Sequence, residues 1–384
     1  MHPDFAILAY FADDPTRAYQ LGQWLPVLEV LHERHQVGIV VRDADSALVL
    51  GAATSLPVFT APSLQELTAL YDDLDAKVVL YCNNSVLNFQ SLINGRMLHV
   101  HINHGESDKQ SMASNNAKAY DRVFVAGEAA VQRHAAGLLE FDLDRLVRIG
   151  RPQLDLHPAP LLAPSSRRTV LYAPTWEGDA EYNDYTSVDT IGRDIVRAVL
   201  AVPDVRIVYK PHPKVVTSRT PGVRYAHQDI LAMVGAAARS HPEAGHRSIT
   251  DGDILALMPD CDAMVTDVSS VGLDWLYLRT DRPLFITDRL HDAERLRREI
   301  PVSRCADVID RFDVAELAAL ITARLKNDEH HLARTAMRHH YFDALQVGES
   351  TLRFLDAVTE LVELRERLVG AGADPTEVAS AITA

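Results

Sequence analysis

Cysteine is scarce in this chain, and its placement argues against two common roles. Only three cysteines occur among 384 residues, Cys82, Cys261 and Cys305, and no two of them form a CxxC pair. Such wide spacing provides neither the disulfide framework of a secreted domain nor a zinc knuckle. We therefore expect a reduced, cytoplasmic setting.

Basic residues and long hydrophobic runs are also in short supply. Lysine and arginine total 38 against 53 aspartates and glutamates, a formal net charge of −15. A general nucleic-acid binder needs clustered basic residues to neutralise phosphates, so this class is not expected, although a local basic pocket is compatible with the composition. No run approaches the roughly 18 apolar residues that span a bilayer, so any membrane contact is expected to be peripheral.

The first 150 residues alternate short apolar runs with helical stretches. The runs that predict strands lie at 5–11, 37–41, 56–60, 77–82, 97–102 and 121–126. The first run lacks the basic flank of a signal peptide and is predicted to be a strand that ends in a turn. Helical spacers of roughly 10 residues are typical of βαβ units, so we predict a doubly wound α/β domain over 1–152.

A proline-rich stretch separates this half from a second one. Residues 153–168 combine prolines and serines with few periodic apolar residues, which is typical of a linker. The alternation then resumes, with apolar runs at 169–176, 205–213, 262–270, 283–287 and 306–310. We predict a second α/β domain over 169–345, helices over 313–327 and 350–369, and a C-terminal helix and tail over 346–384.

Four polar clusters follow four of the predicted strands. They read HGESDK (104–109), APTWEGD (173–179), KPHP (210–213) and TDVSSVGLDW (266–275). Doubly wound sheets bind ligands beyond the carboxyl ends of their strands, so polar clusters that recur at this edge indicate a site.

The segment TDVSSVGLD passes from a predicted strand into a predicted helix. Ser269 and Ser270 would present hydroxyls beside free backbone N–H groups and the positive end of the helix dipole, which together form an anion site. The alternative is that Asp267 or Ser269 simply caps the helix, a contribution of roughly 1 kcal/mol. Taken alone, this segment favours the cap.

Lys210 and His212 lie at another strand end, and each precedes a proline that restricts its backbone. A lysine and an imidazole two residues apart suit phosphate oxygens, and His212 could protonate a leaving group near neutral pH. An exposed turn histidine is the alternative. Thr175 offers phosphate a hydroxyl or an N–H, whereas core packing explains Trp176 better.

Three histidines lie in LHVHINHGESDK, and we predict different roles for them. A metal site would need His99, His101 and His104 in one shell, but the first two are predicted inside the strand, so this reading is the weaker one. His104 precedes Gly105, which permits a tight turn or a close approach to a ligand. An imidazole of ordinary pKa, about 6.5, suits a base that takes a proton from an attacking alcohol.

In this order, the motifs resemble those of the CDP-glycerol:poly(glycerophosphate) glycerophosphotransferase family, which builds teichoic-acid-type polymers. HGESDK is similar to the family's HG segment with a downstream lysine, YAPTW to its YAPT(W/F), KPHP to its K(L/P)HP, and TDVSSVGLDW to its TDYSSxxFD. YFDALQVGESTLRFLDAV (341–358) is similar to the family's closing helix. The resemblance extends from Leu98 to Val358.

The resemblance implies a GT-B architecture, with two Rossmann-like domains and the nucleotide held mainly by the C-terminal one. It also implies in-line attack by an acceptor hydroxyl on the β-phosphorus of CDP-glycerol, with release of CMP. His104 matches the proposed general base, and His212, Ser269 and Ser270 match residues that hold the pyrophosphate. Helix N-termini, hydroxyls and imidazoles would stabilise the phosphate charge, so no metal or other cofactor is expected.

The remaining candidate residues and partners complete the prediction. Donor-phosphate roles are expected for Lys210, Thr175 and Asp267, acceptor or orienting roles for Gly105, Glu106 and Lys109, and nucleotide or structural roles for Thr266 and Asp274. The expected partners are a CDP-linked alcohol and a glycerophosphate, glycan or lipid-linked acceptor, the last at the inner face of the membrane. Two alternatives stay open, a GT-B glycosyltransferase that uses a nucleotide sugar and a non-catalytic nucleotide-binding protein.

Overall fold

The computed structural model describes residues 5–109, 112–156, 158–346 and 348–371. The chain divides into two compact units. The first comprises Met1–Gly105, Ala113–Leu156 and Leu345–Ala384, and the second comprises Glu106–Met112 and His157–Ala344. Two segments therefore do not fold with their neighbours in sequence. Glu106–Met112 belongs to the second unit, although the residues on both sides of it belong to the first, and the C-terminal segment belongs to the first unit.

The first unit is built on a seven-stranded parallel sheet. Its strands are Ile7–Phe11 (β1), Val37–Val41 (β2), Val58–Thr60 (β3), Val78–Tyr81 (β4), Leu98–His101 (β5), Arg122–Val125 (β6) and Leu146–Arg148 (β7). They pair in the order β3-β2-β1-β4-β5-β6-β7, so the order reverses between β1 and β4. Six of the strands lie within the predicted runs. The prediction missed β7, which has three residues, none of them fully buried.

Short and medium helices connect these strands. They are Tyr19–Gly22 (α1), Leu25–His32 (α2), Ala44–Gly51 (α3), Leu64–Leu74 (α4), Asn88–Ser91 (α5), Glu128–Gly137 (α6) and Pro152–Asp155 (α7). Every residue of β1, β2 and β4 is buried. Burial of both faces of the sheet explains why these strands have nearly continuous apolar sequences.

The second unit is built on a six-stranded parallel sheet. Its strands are Arg168–Ala173 (β8), Val205–Tyr209 (β9), Arg247–Ser248 (β10), Ala263–Thr266 (β11), Leu284–Thr287 (β12) and Asp307–Ile309 (β13), in the order β10-β9-β8-β11-β12-β13. The runs predicted from 169 and 262 extend past the observed strand ends. β8 ends immediately before Pro174, which has no N–H to continue the ladder. The two-residue β10 was not predicted.

The helices of the second unit follow its strands. They are Gly192–Ala201 (α8), Pro213–Val216 (α9), Pro221–Ser240 (α10), Ser270–Leu278 (α11), Ala293–Glu299 (α12), Leu317–Lys326 (α13) and His331–Phe342 (α14). The predicted helix at 313–327 is confirmed as α13, which begins after a short 3₁₀ turn at Val314–Glu316.

The last helix, Glu349–Ala371 (α15), packs into the core of the first unit. Phe354 lies against Trp24 with 5.1 Å between ring centroids, and Thr351 N donates to Asp155 Oδ2 at 2.7 Å. The helix predicted at 350–369 is confirmed, and the predicted tail beyond it lies outside the described residues. Within the ranges that the structure describes, no helix is long and apolar enough to cross a membrane.

Candidate active site

Three of the polar motifs leave the carboxyl ends of three adjacent strands in the second unit. β9, β8 and β11 are neighbours, and KPHP, APTWEGD and TDVSSVGLDW follow them in that order. His212 N donates to Pro174 O at 3.0 Å, and Thr175 N donates to Asp267 Oδ2 at 2.7 Å. Neighbouring strands lie about 4.8 Å apart, so the outer two end roughly 10 Å apart. The sheet therefore brings these three motifs to one edge.

Asp267 connects the loops at this edge. It is 1% exposed, and its carboxylate accepts hydrogen bonds from Thr175 N at 2.7 Å, Ser187 N at 3.2 Å and Thr287 Oγ1 at 2.5 Å. Burial raises the pKa of this carboxyl to about 6, and the hydrogen bonds from Ser187, Thr287 and Thr175 oppose the shift. Both oxygens are engaged within the protein, so we infer that Asp267 positions the loops and does not contact phosphate.

Ser269 precedes α11 but does not cap it. Its side chain makes no capping hydrogen bond, and its buried Oγ has no partner among the described residues. Asp267 directs its carboxylate to other groups, so the simple helix cap considered for this segment is wrong. A buried hydroxyl without a partner is uncommon in proteins. Together with the free N–H groups at the start of the nine-residue α11, it forms a site suited to an anion.

Lys210 adds a positive charge at the end of β9. The residue is 4% exposed, and burial lowers the pKa of its ammonium group while Asp251 and Asp253 raise it. No carboxylate in the described part of the chain lies within 4.0 Å of its Nζ. A buried ammonium without an ion pair is costly, so this group too suits an anionic ligand.

His212 is held in one tautomer. Its Nδ1 accepts a hydrogen bond from Lys214 N at 3.2 Å, so the neutral ring carries its proton on Nε2. The imidazole stacks on Trp176, with 6.1 Å between ring centroids and 28° between planes. Lys214 Nζ lies 3.5 Å from the centroid of the same indole. Trp176 packs against the core as predicted, and it also orients the His212 ring.

The other predicted residues of this unit are largely engaged with protein groups. Thr266 is fully buried, and its Oγ1 donates to Ala173 O at 2.7 Å. The N–H of Thr175 is used by Asp267, so the hydroxyl of Thr175 is the group left for a ligand. Asp274 is 4% exposed on α11. These residues support the loop geometry from within.

In the first unit, β5 leads to His104 through a left-handed residue. Asn103 has φ of 53°, its carbonyl accepts from Trp24 Nε1 at 2.5 Å, and its Oδ1 accepts from His104 N at 3.1 Å. Asparagine tolerates this conformation better than most residues do. Gly105, for which the sequence predicted either a tight turn or a close approach to a ligand, is not among the described residues with positive φ. Asn103 therefore makes the turn that presents His104.

The His104 imidazole is neutral at pH 7. Burial and the nearby Arg151 cation lower its pKa to about 4, although a hydrogen bond to the Cys82 backbone opposes the shift. Its Nδ1 has no partner in the described ranges, and the Tyr19 ring lies edge-on at 6.2 Å between centroids. Nδ1 is therefore a ring nitrogen for which the described residues supply neither a donor nor an acceptor. That nitrogen can accept a proton.

The two earlier histidines have structural environments. His99 Nδ1 bonds to Tyr81 Oη at 2.7 Å and its Nε2 to Asn94 O at 2.9 Å, so neither nitrogen is open to a metal. His101 is 5% exposed against Tyr120, and burial lowers its pKa to about 4. Among the residues that the structure describes, no three histidines, cysteines or carboxylates form a potential metal site. The interpretation of His99 and His101 as strand residues is confirmed.

Glu106 and Lys109 follow His104 in sequence but belong to the second unit. Glu106 is 5% exposed, and its Oε1 accepts from Ser107 N at 3.1 Å. Lys109 is half-buried and lies near the Tyr185 ring. The prediction placed both residues beside His104 because they are close to it in sequence. In the structure they belong to the unit that contains His212 and Ser269.

Sequence reasoning missed Arg289, which follows β12. Its Nη1 donates to Asp189 Oδ1 at 2.6 Å and to Thr186 O at 2.7 Å, and its Nη2 lies 3.1 Å from Asp184 Oδ2. These contacts anchor the long loop after β8. The signal was available, because DRL (288–290) follows the run PLFIT in the same way that the other motifs follow their strands.

Comparison with known proteins adds independent findings. A family model described as CDP-Glycerol:Poly(glycerophosphate) glycerophosphotransferase matches residues 97–360, which is more than half of the chain. No curated protein matches the sequence.

Several solved structures share the fold. The wall teichoic acid polymerase TagF is 13% identical with a TM-score of 0.59, covering 94% of this chain and 90% of that chain. A putative UDP-N-acetylglucosamine 2-epimerase from Listeria monocytogenes is 15% identical with a TM-score of 0.60, covering 93% and 96%. At such identities the likeness shows the fold alone, and that fold is the predicted GT-B class of α/β architecture. With the family match over 97–360, the chain belongs to the CDP-glycerol:poly(glycerophosphate) glycerophosphotransferase family.

Proposed function

We propose that this glycerophosphotransferase moves a glycerophosphate unit from CDP-glycerol to an acceptor hydroxyl and releases CMP. The observation that carries the proposal is the anion site of the second unit. Among the described residues, the buried Ser269 hydroxyl at the start of α11 has no hydrogen-bond partner and the Lys210 ammonium has no ion pair. Groups of this kind are completed by phosphate oxygens.

The transfer balances as a single displacement. The acceptor oxygen attacks the β-phosphorus, and the bond from that phosphorus to the bridging oxygen breaks, so the electron pair leaves with CMP. The acceptor proton passes to the neutral His104, at the ring nitrogen that carries the lone pair. The product is a phosphodiester that keeps the β-phosphate. Proton removal of this kind typically contributes about 10²- to 10⁴-fold to the rate.

The charge that develops on the phosphates is stabilised by protein groups in this proposal. His212 offers its Nε2 proton, Ser269 and Ser270 offer hydroxyls, and α11 offers the positive end of its dipole. Lys210 supplies a full charge. The mechanism therefore needs no metal ion or other cofactor.

The acceptor and the location follow from the same chemistry. We expect the acceptor to be a hydroxyl of a glycerophosphate, a glycan or a lipid-linked carrier. All three cysteines are free and buried, in keeping with a reducing cytoplasm. With a lipid-linked acceptor, the reaction would take place at the inner face of the membrane.

The identity of the released nucleotide tests this function. The full chain is incubated with CDP-glycerol, CDP-ribitol and a set of nucleotide sugars, each with glycerol phosphate or a short poly(glycerophosphate) as acceptor. We expect CMP and an extended acceptor from a CDP-alcohol, and none from the His104→Ala variant. Release of only nucleoside diphosphates would instead identify a sugar transferase, and absence of nucleotide binding would favour a non-catalytic role.

A further inference from the structure

Lys109 presents a half-buried ammonium group in the second unit without a counter-ion of its own. It lies on the segment Glu106–Met112, which folds with that unit. Within the described ranges, no carboxylate comes within 4.0 Å of its Nζ. Its ammonium lies over the Tyr185 ring, whose centroid is 5.6 Å from Nζ.

The contact with Tyr185 places Lys109 beside the loop that follows β8, and the charges that act on its pKa belong to the same unit. Burial lowers the pKa of its ammonium, Asp267 and Asp184 raise it, and Lys214 lowers it. Lys214 lies two residues after His212, and Asp267 lies two residues before Ser269. The ring contact places the ammonium beside Tyr185 on the loop that follows β8, and Ser187 of that loop donates its N–H to Asp267, two residues before Ser269.

Neither nearby carboxylate is available to neutralise Lys109. Asp267 is engaged by Thr175, Ser187 and Thr287, and Asp184 pairs with Arg289 at 3.1 Å. A partly desolvated cation without a partner is unfavourable unless a ligand supplies the negative charge. An ordinary solvated lysine would be exposed instead, as Lys326 is at the end of α13.

We propose that Lys109 binds a phosphate group of the nucleotide-activated donor. The inference rests on the function proposed above, and it assigns to the donor a residue that the sequence grouped with the acceptor base. A lysine ammonium is a compact charge with three hydrogen-bond donors, which suits a phosphate oxygen cluster. The donor site thus draws a residue from the first half of the chain.

Calorimetric titration with CDP-glycerol tests the proposal on the full chain. The variants are Lys109→Met, which removes the charge and keeps much of the length, Lys109→Arg, which keeps the charge, and Lys326→Met as a matched control in the same unit. We expect Lys109→Met to raise the Kd for CDP-glycerol by roughly 10- to 100-fold. Lys109→Arg should recover part of the affinity, and Lys326→Met should bind like the wild type.

Thermal unfolding of each variant separates binding from folding. Equal affinity of Lys109→Met and the wild type would overturn the proposal. So would a loss of affinity that Lys109→Arg does not reduce, since that result assigns Lys109 a packing role. If the wild type itself binds no cytidine nucleotide, the proposed function fails first, and this outcome is distinct because it appears before any variant is compared.

Discussion

Polar side chains at the carboxyl edges of the two sheets differ in whether they have hydrogen-bond partners. At the edge of the second unit, Ser269 Oγ has no hydrogen-bond partner among the described residues. At the β1/β4 edge of the first unit, Ser85 Oγ donates to Asp13 Oδ1 at 2.8 Å, and Asn83 Nδ2 donates to Asp13 Oδ2 at 3.1 Å. Arg17 completes this cluster at 3.2 Å from the same carboxylate.

The difference separates an edge with an unpaired hydroxyl, which suits an anion, from the Asp13 cluster, whose side chains are paired with one another. Unpaired polar groups lower stability, so they are tolerated mainly where a ligand completes them. The paired side chains around Asp13 hold one another in place, and the same unit contains the neutral His104 imidazole. We therefore expect changes in the second unit to affect donor affinity, and changes near His104 to affect the chemical step.

Replacing His104 by alanine should have the largest effect. Loss of the base is expected to lower the transfer rate by at least roughly 10²-fold, with donor affinity unchanged. Steady-state rates and calorimetric titration measure the two quantities. His35→Ala, on the loop that precedes β2, is the control and should keep its rate; comparable loss in both variants would contradict the assignment.

Asp267→Asn should change how stability depends on pH. The folded-state pKa is about 6 against an ordinary 3.8, so the folded protein holds this proton more tightly than the unfolded chain does. The contribution of Asp267 to stability therefore falls as pH rises from about 4 to about 6, by on the order of 2 kcal/mol. Urea unfolding at both pH values should show this decline in the wild type relative to the variant. Parallel curves would contradict it.

The pair Ser269→Ala and Ser85→Ala tests the comparison directly. Ser269→Ala removes a buried hydroxyl without a partner in the described part of the chain, so the unfolding midpoint should not fall, while the Kd for the donor rises roughly tenfold. Ser85→Ala breaks the bond to Asp13, so stability should fall by about 1 kcal/mol and donor affinity should not change. The reverse pattern in thermal unfolding and titration would refute the contrast between the two edges.

The smallest expected effect is the change in the transfer rate as pH falls below 7. A base with pKa of about 4 stays deprotonated to low pH, so the contribution of His104 to the rate should change less than about twofold between pH 7 and pH 5.5. A histidine with the ordinary value would lose about tenfold at pH 5.5. Rates measured over pH 5 to 8, with circular dichroism to verify folding, distinguish the two. Arg151→Met should shift the decline in rate to higher pH, because it removes the positive charge that lowers the pKa of His104.

Much of the architecture could be predicted because its signals are local. The alternation of apolar runs and helical spacers located eleven strands, and the polar clusters after them marked the edge where Ser269 and His212 lie. The short strands β7 and β10 escaped prediction because two or three residues carry no periodic pattern. The preference for a capping Ser269 was wrong because capping depends on where the side chain points, and sequence does not show this.

The sequence alone determined the family, the positions of eleven strands along the chain and the motifs at their ends, because these depend on residues close together in the chain. Only the tertiary structure placed Lys109 in the second unit and α15 in the first. The bond from Thr351 N to Asp155 joins residues 196 positions apart, and Asp267 meets Thr175 across 92. Contacts over such separations form only when packing brings distant segments together, so no local pattern encodes which polar groups end up paired and which remain open to a ligand.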